Sequence, residues 1–197
     1  MEFSIKRLTL KDRVLGIDLA GSSRRNTGYA FIRNDKTVVG IIHSNEDIIQ
    51  ISRDFDFVFI DAPLSIPEGR KTINDRKGRH LRECDVMLKE LGIKFFPITL
   101  GPMRMLTERG LVIKRELESM GKKIFETLPG ALYDYFGVNR KDKHSIIELF
   151  HTLGLELESR EYTQDELDAI ASLLIGIYHL NEKSRVLSGK DGEIVIV

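Results

Sequence analysis

Val14-Leu15-Gly16-Ile17-Asp18-Leu19-Ala20-Gly21 is an apolar run broken only by two glycines and one acid. Such a run predicts a central strand over residues 14–19. Residues 21–26 then read as a turn. Residues 27–32 and 37–42 predict two further strands joined tightly at Asn34-Asp35, giving an antiparallel three-strand meander. A short helix over 46–53 leads into Phe57-Val58-Phe59-Ile60, a fourth apolar strand that runs directly into Asp61.

Beyond Asp61 the texture changes. Pro63, Pro67 and Gly69 mark an irregular loop, and Leu81, Cys84, Leu88 and Leu91 recur at helical spacing over 79–91. Residues 95–99 read as a short extended piece and 106–120 as a helix stopped by Gly121. Residues 123–127 predict a fifth strand, closed by Pro129-Gly130. Two short helices follow over 131–136 and 143–153. Thr163-Gln164-Asp165-Glu166 has the form of a capping box opening an apolar helix to about residue 180. Residues 193–197 end the chain as a short strand or tail. The expectation is an α/β domain spanning 1–197. Its mixed five-stranded sheet combines the antiparallel meander with parallel strands at 14–19, 57–60 and 123–127, flanked by helices. In such sheets function gathers beyond the carboxyl ends of the strands.

Composition narrows the function classes. Thirty basic and thirty acidic residues cancel to a formal net charge of zero, so overall charge gives no argument for nucleic-acid binding and a local patch would have to serve. One cysteine excludes an internal disulfide and a cysteine-based zinc site. Without a signal-like N-terminus or a run of membrane-spanning length, the chain is expected to be soluble and cytoplasmic, with no membrane partner. Scarce glutamine, absent tryptophan and abundant Lys, Arg and Glu fit a thermophilic source.

Acids gathered at strand ends and helix starts are the main clue to chemistry. Asp18 lies inside a run that should be buried, where a carboxylate is costly without a strong partner; the alternative is an anchor for the following turn. Asp61 ends a strand, where it would serve a metal or nucleotide, or cap the next turn. Glu126 could join them, or face solvent beside Lys123. Asp165 and Asp168 share one face of the last helix. The macrodipole alone would explain Asp165, whereas Asp168 lies on a stripe continued by Ala171, Ser172 and Ile175. Oxygen ligands without clustered Cys or His select a hard cation, Mg2+ or Mn2+. Two such ions about 4 Å apart would clamp the attacking and leaving oxygens of a phosphodiester, with no side-chain nucleophile required.

The order of these elements, with Gly-x-Asp in the first strand, an acid ending the fourth and Asp165-x-x-Asp168-Ala169 in the late helix, resembles the RNase H-like fold. The C-terminal third is similar to RuvC-type Holliday-junction resolvases. Whole-chain motifs resemble the domain of unknown function 429 family of predicted RNase H-like nucleases. They are Gly16-Ile17-Asp18-x-Ala20-Gly21, Ile60-Asp61-Ala62-Pro63-Leu64, Arg82-x-Cys84-Asp85, Leu106-Thr107-x-Arg109-Gly110, Glu126-x-x-Pro129-Gly130 and Asp165-Glu166-Leu167-Asp168-Ala169. The resemblance implies a metal-dependent nuclease acting on DNA or RNA, with Asp18, Asp61, Asp165 and Asp168 as metal ligands and Glu126 a further catalytic acid. It also implies a phosphate contact at Lys143.

A basic stretch with Arg76, Lys77, Arg79 and Arg82, extended by Arg109, would supply the nucleic-acid contacts; the plainer reading is a solvated charged face. Two other functions compete. Gly16 to Ser22 also looks like a phosphate loop of the actin-like superfamily, although that fold needs two halves and this chain has room for one. A non-catalytic RNase H-like binding protein is the third. Substrate type and homodimer formation are left open by the sequence.

Overall fold

The computed structural model describes residues 4–197. Strands β1 (Val14–Asp18), β2 (Thr27–Arg33), β3 (Lys36–Ile42), β4 (Phe57–Asp61) and β5 (Lys123–Glu126) form one sheet in the order β3-β2-β1-β4-β5. The meander β1-β2-β3 is antiparallel, while β4 and β5 add in parallel to β1. Asn34 and Asp35 turn β2 into β3 with positive φ at both positions (52° and 62°), the backbone that matches a tight hairpin to strand twist. The α/β layout with a mixed five-stranded sheet between helices is therefore as expected.

Both sheet faces are covered because the central strands are apolar on both sides. Leu15, Ile17, Val58 and Ile60 pack against Ile48 of α1 (Asn45–Ser52) and Ile113 and Leu117 of α3 (Gly101–Ser119). On the opposite face Val14, Ala30 and Phe59 meet α4 (Pro129–Tyr135), α5 (Lys143–Thr152) and the apolar length of α6 (Gln164–Leu180). Each fully buried aliphatic side chain contributes about 1.5–3 kcal/mol.

The start of α6 is fixed twice over. Thr163 Oγ1 accepts from the Glu166 amide (3.2 Å) and the Glu166 carboxylate accepts from the Thr163 amide (2.8 Å), the expected capping box. The helix then lies against bare backbone. A Cβ at Gly28 would fall 2.0 Å from the Asp165 carbonyl oxygen, and one at Gly16 would fall 2.3 Å from that of Ala169. Glycine at both positions lets α6 approach β1 and β2 this closely.

Three local expectations are corrected. Helix α2 spans Glu83–Glu90 rather than starting at 79, because Arg82 is held in an extended conformation by ion pairs described below. Helix α3 begins at Gly101, with Pro102 in its first turn, where a missing N–H costs nothing. Residues 95–99 form no strand. Residues 193–197 take the strand of the two expected alternatives, as β7 (Gly192–Ile196), but its partner was not expected: β6 (Arg185–Gly189) pairs with it in a separate hairpin. Its Leu187, Ile194 and Ile196 pack with Cys84 and Leu88 of α2. Burial pushes the Cys84 thiol up to about 12, leaving it an inert small hydrophobe. Among the described residues no helix is long and apolar enough to cross a membrane.

Candidate metal centre

Asp18 and Asp61 end neighbouring parallel strands and are partners in the last rung of that pair. Side chains alternate along a strand. Asp18 therefore shares the face of Val14 and Gly16, and Asp61 that of Phe57 and Phe59, which is the face covered by α6. The close approach at Gly16 and Gly28 brings the first turns of α6, with Asp165 and Asp168, over the same strand ends.

The acids feel one another. Burial raises the Asp18 carboxyl well above the carboxylate range, and the charges of Asp61, Asp168 and Asp165 raise it further; only Arg25 opposes them. Burial likewise raises Asp61 well above that range, followed by the charges of Asp168 and Glu126, against the pull of Arg140. Neither side chain has a hydrogen bond or ion pair to offset these effects among the described residues. Both are partly exposed.

Asp168 is differently supported. Its carboxyl is raised by burial but drawn back by two hydrogen bonds. Tyr133 Oη donates to Oδ1 (2.8 Å) and Gln164 Nε2 donates to the same oxygen (3.0 Å). Oδ2 carries no hydrogen bond among the described residues. Tyr133 and Gln164 were not legible as site residues. Tyr133 sits in α4, 35 positions away, and only the packing of α4 on α6 brings its hydroxyl to Asp168.

Among the described residues, no group of three or more His, Cys, Asp or Glu side chains is arranged so that it could hold a metal ion. What Asp18, Asp61 and Asp168 share is mutual repulsion that Arg25 and Arg140 offset only in part. Their donor chemistry is oxygen only, the kind a hard divalent ion takes: among the described residues two carboxylates have no hydrogen bond or ion pair, and a third has one oxygen tied.

Glu126 plays another part. The β4–β5 register sets it beside Ile60 and carries Thr127 toward Asp61, so it lies one residue off the acid row. Both carboxylate oxygens are engaged: Oε2 accepts from the Leu64 amide (2.8 Å) and Arg82 Nη1 (2.6 Å), and Oε1 from Arg82 Nη2 (2.7 Å). It clamps the chain just after Asp61 and is not placed as a free catalytic acid. Thr127, in turn, donates to Ser172 of α6 (3.0 Å).

Arg82 is corrected with it. At 1% exposure, the guanidinium is shared between Glu126 and Asp85 (Nη2 to Oδ1, 2.7 Å), so it has no surface to offer a phosphate. Arg109 is also withdrawn. Only 8% exposed, it donates to the carbonyls of Ala20 (2.8 Å) and His43 (2.5 Å) and to Asn45 (2.9 Å), pinning the loop that follows Asp18. Lys143 is exposed but donates to the Tyr162 carbonyl (2.9 Å). Arg76, Lys77 and Arg79 are exposed, Arg79 between Glu68 and Glu83, and none lines the cavity beside the acids.

That cavity is about 800 Å³. Asp61 and Asp168 form part of its wall, and Lys94, Arg140 and Lys141, none of them among the contacts expected from the sequence, form another part. Arg140 is fixed by Asp134 (Nε to Oδ1, 2.9 Å) and by the Lys94 carbonyl (3.0 Å). The chain matches no model of a known protein family, and no curated protein aligns with it significantly.

Proposed function

We propose that the chain is a Mg2+- or Mn2+-dependent phosphodiesterase of RNase H-like type acting on nucleic acid. The observation that supports this reading is that β1, β4 and α6 bring Asp18, Asp61 and Asp168 near enough to raise one another's carboxyls, with Arg25 and Arg140 offsetting this only in part. Such a cluster is unfavourable as bare structure and fits a divalent ion. The strand order β3-β2-β1-β4-β5 and the motif resemblance to the domain of unknown function 429 nucleases agree with it.

A bound divalent ion supplies Lewis-acid activation of water and of a phosphoryl oxygen. In this reading Asp18, Asp61 and Asp168 hold that ion, and Asp165, one turn before Asp168, adjusts the local charge or joins the ligand set. Tyr133 and Gln164 orient Asp168 through Oδ1 and favour its ionised form against the effect of burial. Arg82 and Glu126 fix the backbone behind Asp61, and Arg109 fixes the one behind Asp18.

The test is cleavage of labelled single-stranded, duplex, hybrid and branched oligonucleotides with either metal. Cleavage should require metal and vanish in Asp168→Asn with the circular dichroism spectrum unchanged. Equal cleavage by that folded variant, or none by the parent on any substrate, overturns the reading.

A further inference from the structure

The cavity beside the acids is too large and too apolar to be explained by metal binding alone. Its volume of about 800 Å³ lies within the range of small-ligand sites, roughly 300–1,000 Å³. Its far wall comprises Phe95, Phe96, Ile98, Met103 and Leu106. Phe96 is 73% exposed, more than any other large apolar side chain among the described residues. It stands in the segment between α2 and α3, whose backbone is held by Arg140 at the Lys94 carbonyl and by Arg104 at the Thr99 carbonyl (2.7 Å). An aromatic ring kept in water on an anchored segment is a surface waiting for a flat apolar group.

The other walls restrict what that group belongs to. The ammonium groups of Lys94 and Lys141 have no ion pair or hydrogen bond among the described residues, and Arg140 lies close enough for its charge to act on both Asp61 and Asp168. One cavity thus offers an aromatic face, cationic side chains, and two carboxylates, Asp61 and Asp168, of the proposed metal ligands. A ligand with a flat ring at one end and a phosphate at the other complements all three.

We propose that this cavity takes one unpaired nucleotide, its base against Phe96 and the apolar wall and its phosphate between the Lys94–Lys141 rim and the carboxylates. The inference rests on the phosphodiesterase reading and sharpens it to single-stranded or locally unpaired nucleic acid. A base within a duplex is stacked on its neighbours and must be extruded before it can reach such a wall, whereas a base in a single strand stacks on an aromatic side chain directly.

The chain has no tryptophan, so Phe96→Trp installs a single fluorophore at an exposed position. In that protein, with Asp168→Asn to prevent turnover and with magnesium present, a 12-nucleotide single strand should quench the fluorescence and the same sequence as a blunt duplex should not. A deoxynucleoside monophosphate that quenches at similar concentration identifies a small nucleotide as the source of the same chemistry. Weaker quenching by the monophosphate than by the strand identifies nucleic acid. By anisotropy, Phe96→Ala should weaken single-strand binding roughly tenfold. Lys94→Ala/Lys141→Ala should lower the slope of log affinity against log salt by about 1.4. The proposal is overturned by equal quenching with duplex, by no quenching with either unpaired ligand, or by unchanged affinity in Phe96→Ala. Single-strand quenching with no cleavage by the parent protein keeps the cavity assignment and removes the phosphodiesterase reading. Cleavage by the parent with no fluorescence response in the Phe96→Trp protein does the reverse.

Discussion

Asp18 and Asp61 stand side by side on the last rung of the parallel β1–β4 pair, and among the described residues neither makes an ion pair or hydrogen bond. Their folded-state carboxyls titrate above their unfolded values, so the folded protein binds more protons in the window between the two. Unfolding free energy therefore falls as pH rises through that window. Metal-free protein should lose stability as pH rises above the ordinary carboxylate range. Asp18→Asn or Asp61→Asn should raise the metal-free Tm at neutral pH by about 3 °C, corresponding to on the order of 1 kcal/mol. Mg2+ or Mn2+ should stabilise the parent and not these variants. Thermal melts at several pH values, with and without metal, check the sign.

Tyr133→Phe removes the hydroxyl on Asp168 Oδ1 and keeps the ring in the core. Since that hydrogen bond draws the Asp168 carboxyl down, its loss should raise it and move the acid limb of any activity profile to higher pH. Metal affinity should fall by roughly 10- to 100-fold. A pH profile and a metal titration of the same variant distinguish this from a simple packing defect, which would leave the acid limb in place.

Glu126→Gln breaks the buried Arg82–Glu126–Asp85 set, and removing one member of such a set costs about 3–5 kcal/mol. The expected phenotype is a stability loss in urea, with metal affinity held near the parent's at temperatures where the variant stays folded. Loss of metal binding in the folded variant would instead return Glu126 to the ligand set.

Gly16→Ala should destabilise at or beyond the upper end of ordinary overpacking, about 3 kcal/mol, because the new Cβ would meet the Ala169 carbonyl of α6 and not a yielding side chain. Since the same approach sets Asp168 above Asp18, any protein that folds should bind metal more weakly. Urea unfolding with a parallel metal titration tests both effects.

The sheet was legible because its strands are short apolar runs ended by acids, and Asp18 and Asp61 stand where those runs stop. The capping box made Thr163–Glu166 equally plain. Hairpin β6–β7 was missed because β6 exposes most of its residues and buries only Leu187 fully. Arg82 was read as part of a basic patch because nothing local reveals that Glu126, 44 positions on, folds back to neutralise it. Tyr133 and Phe96 were missed for the same reason: a hydroxyl aimed at Asp168 and a ring left in water are products of tertiary packing, not of spacing in the chain.

In the proposed function Asp18, Asp61 and Asp168 together hold a divalent ion. Calorimetric titration of Mn2+ into the parent and into Asp61→Asn tests it most directly. Saturable binding at or below millimolar Mn2+ is expected in the parent, with proton release, and its loss in the folded variant. Absence of binding by the parent at millimolar Mn2+, or equal binding by Asp61→Asn, would contradict it.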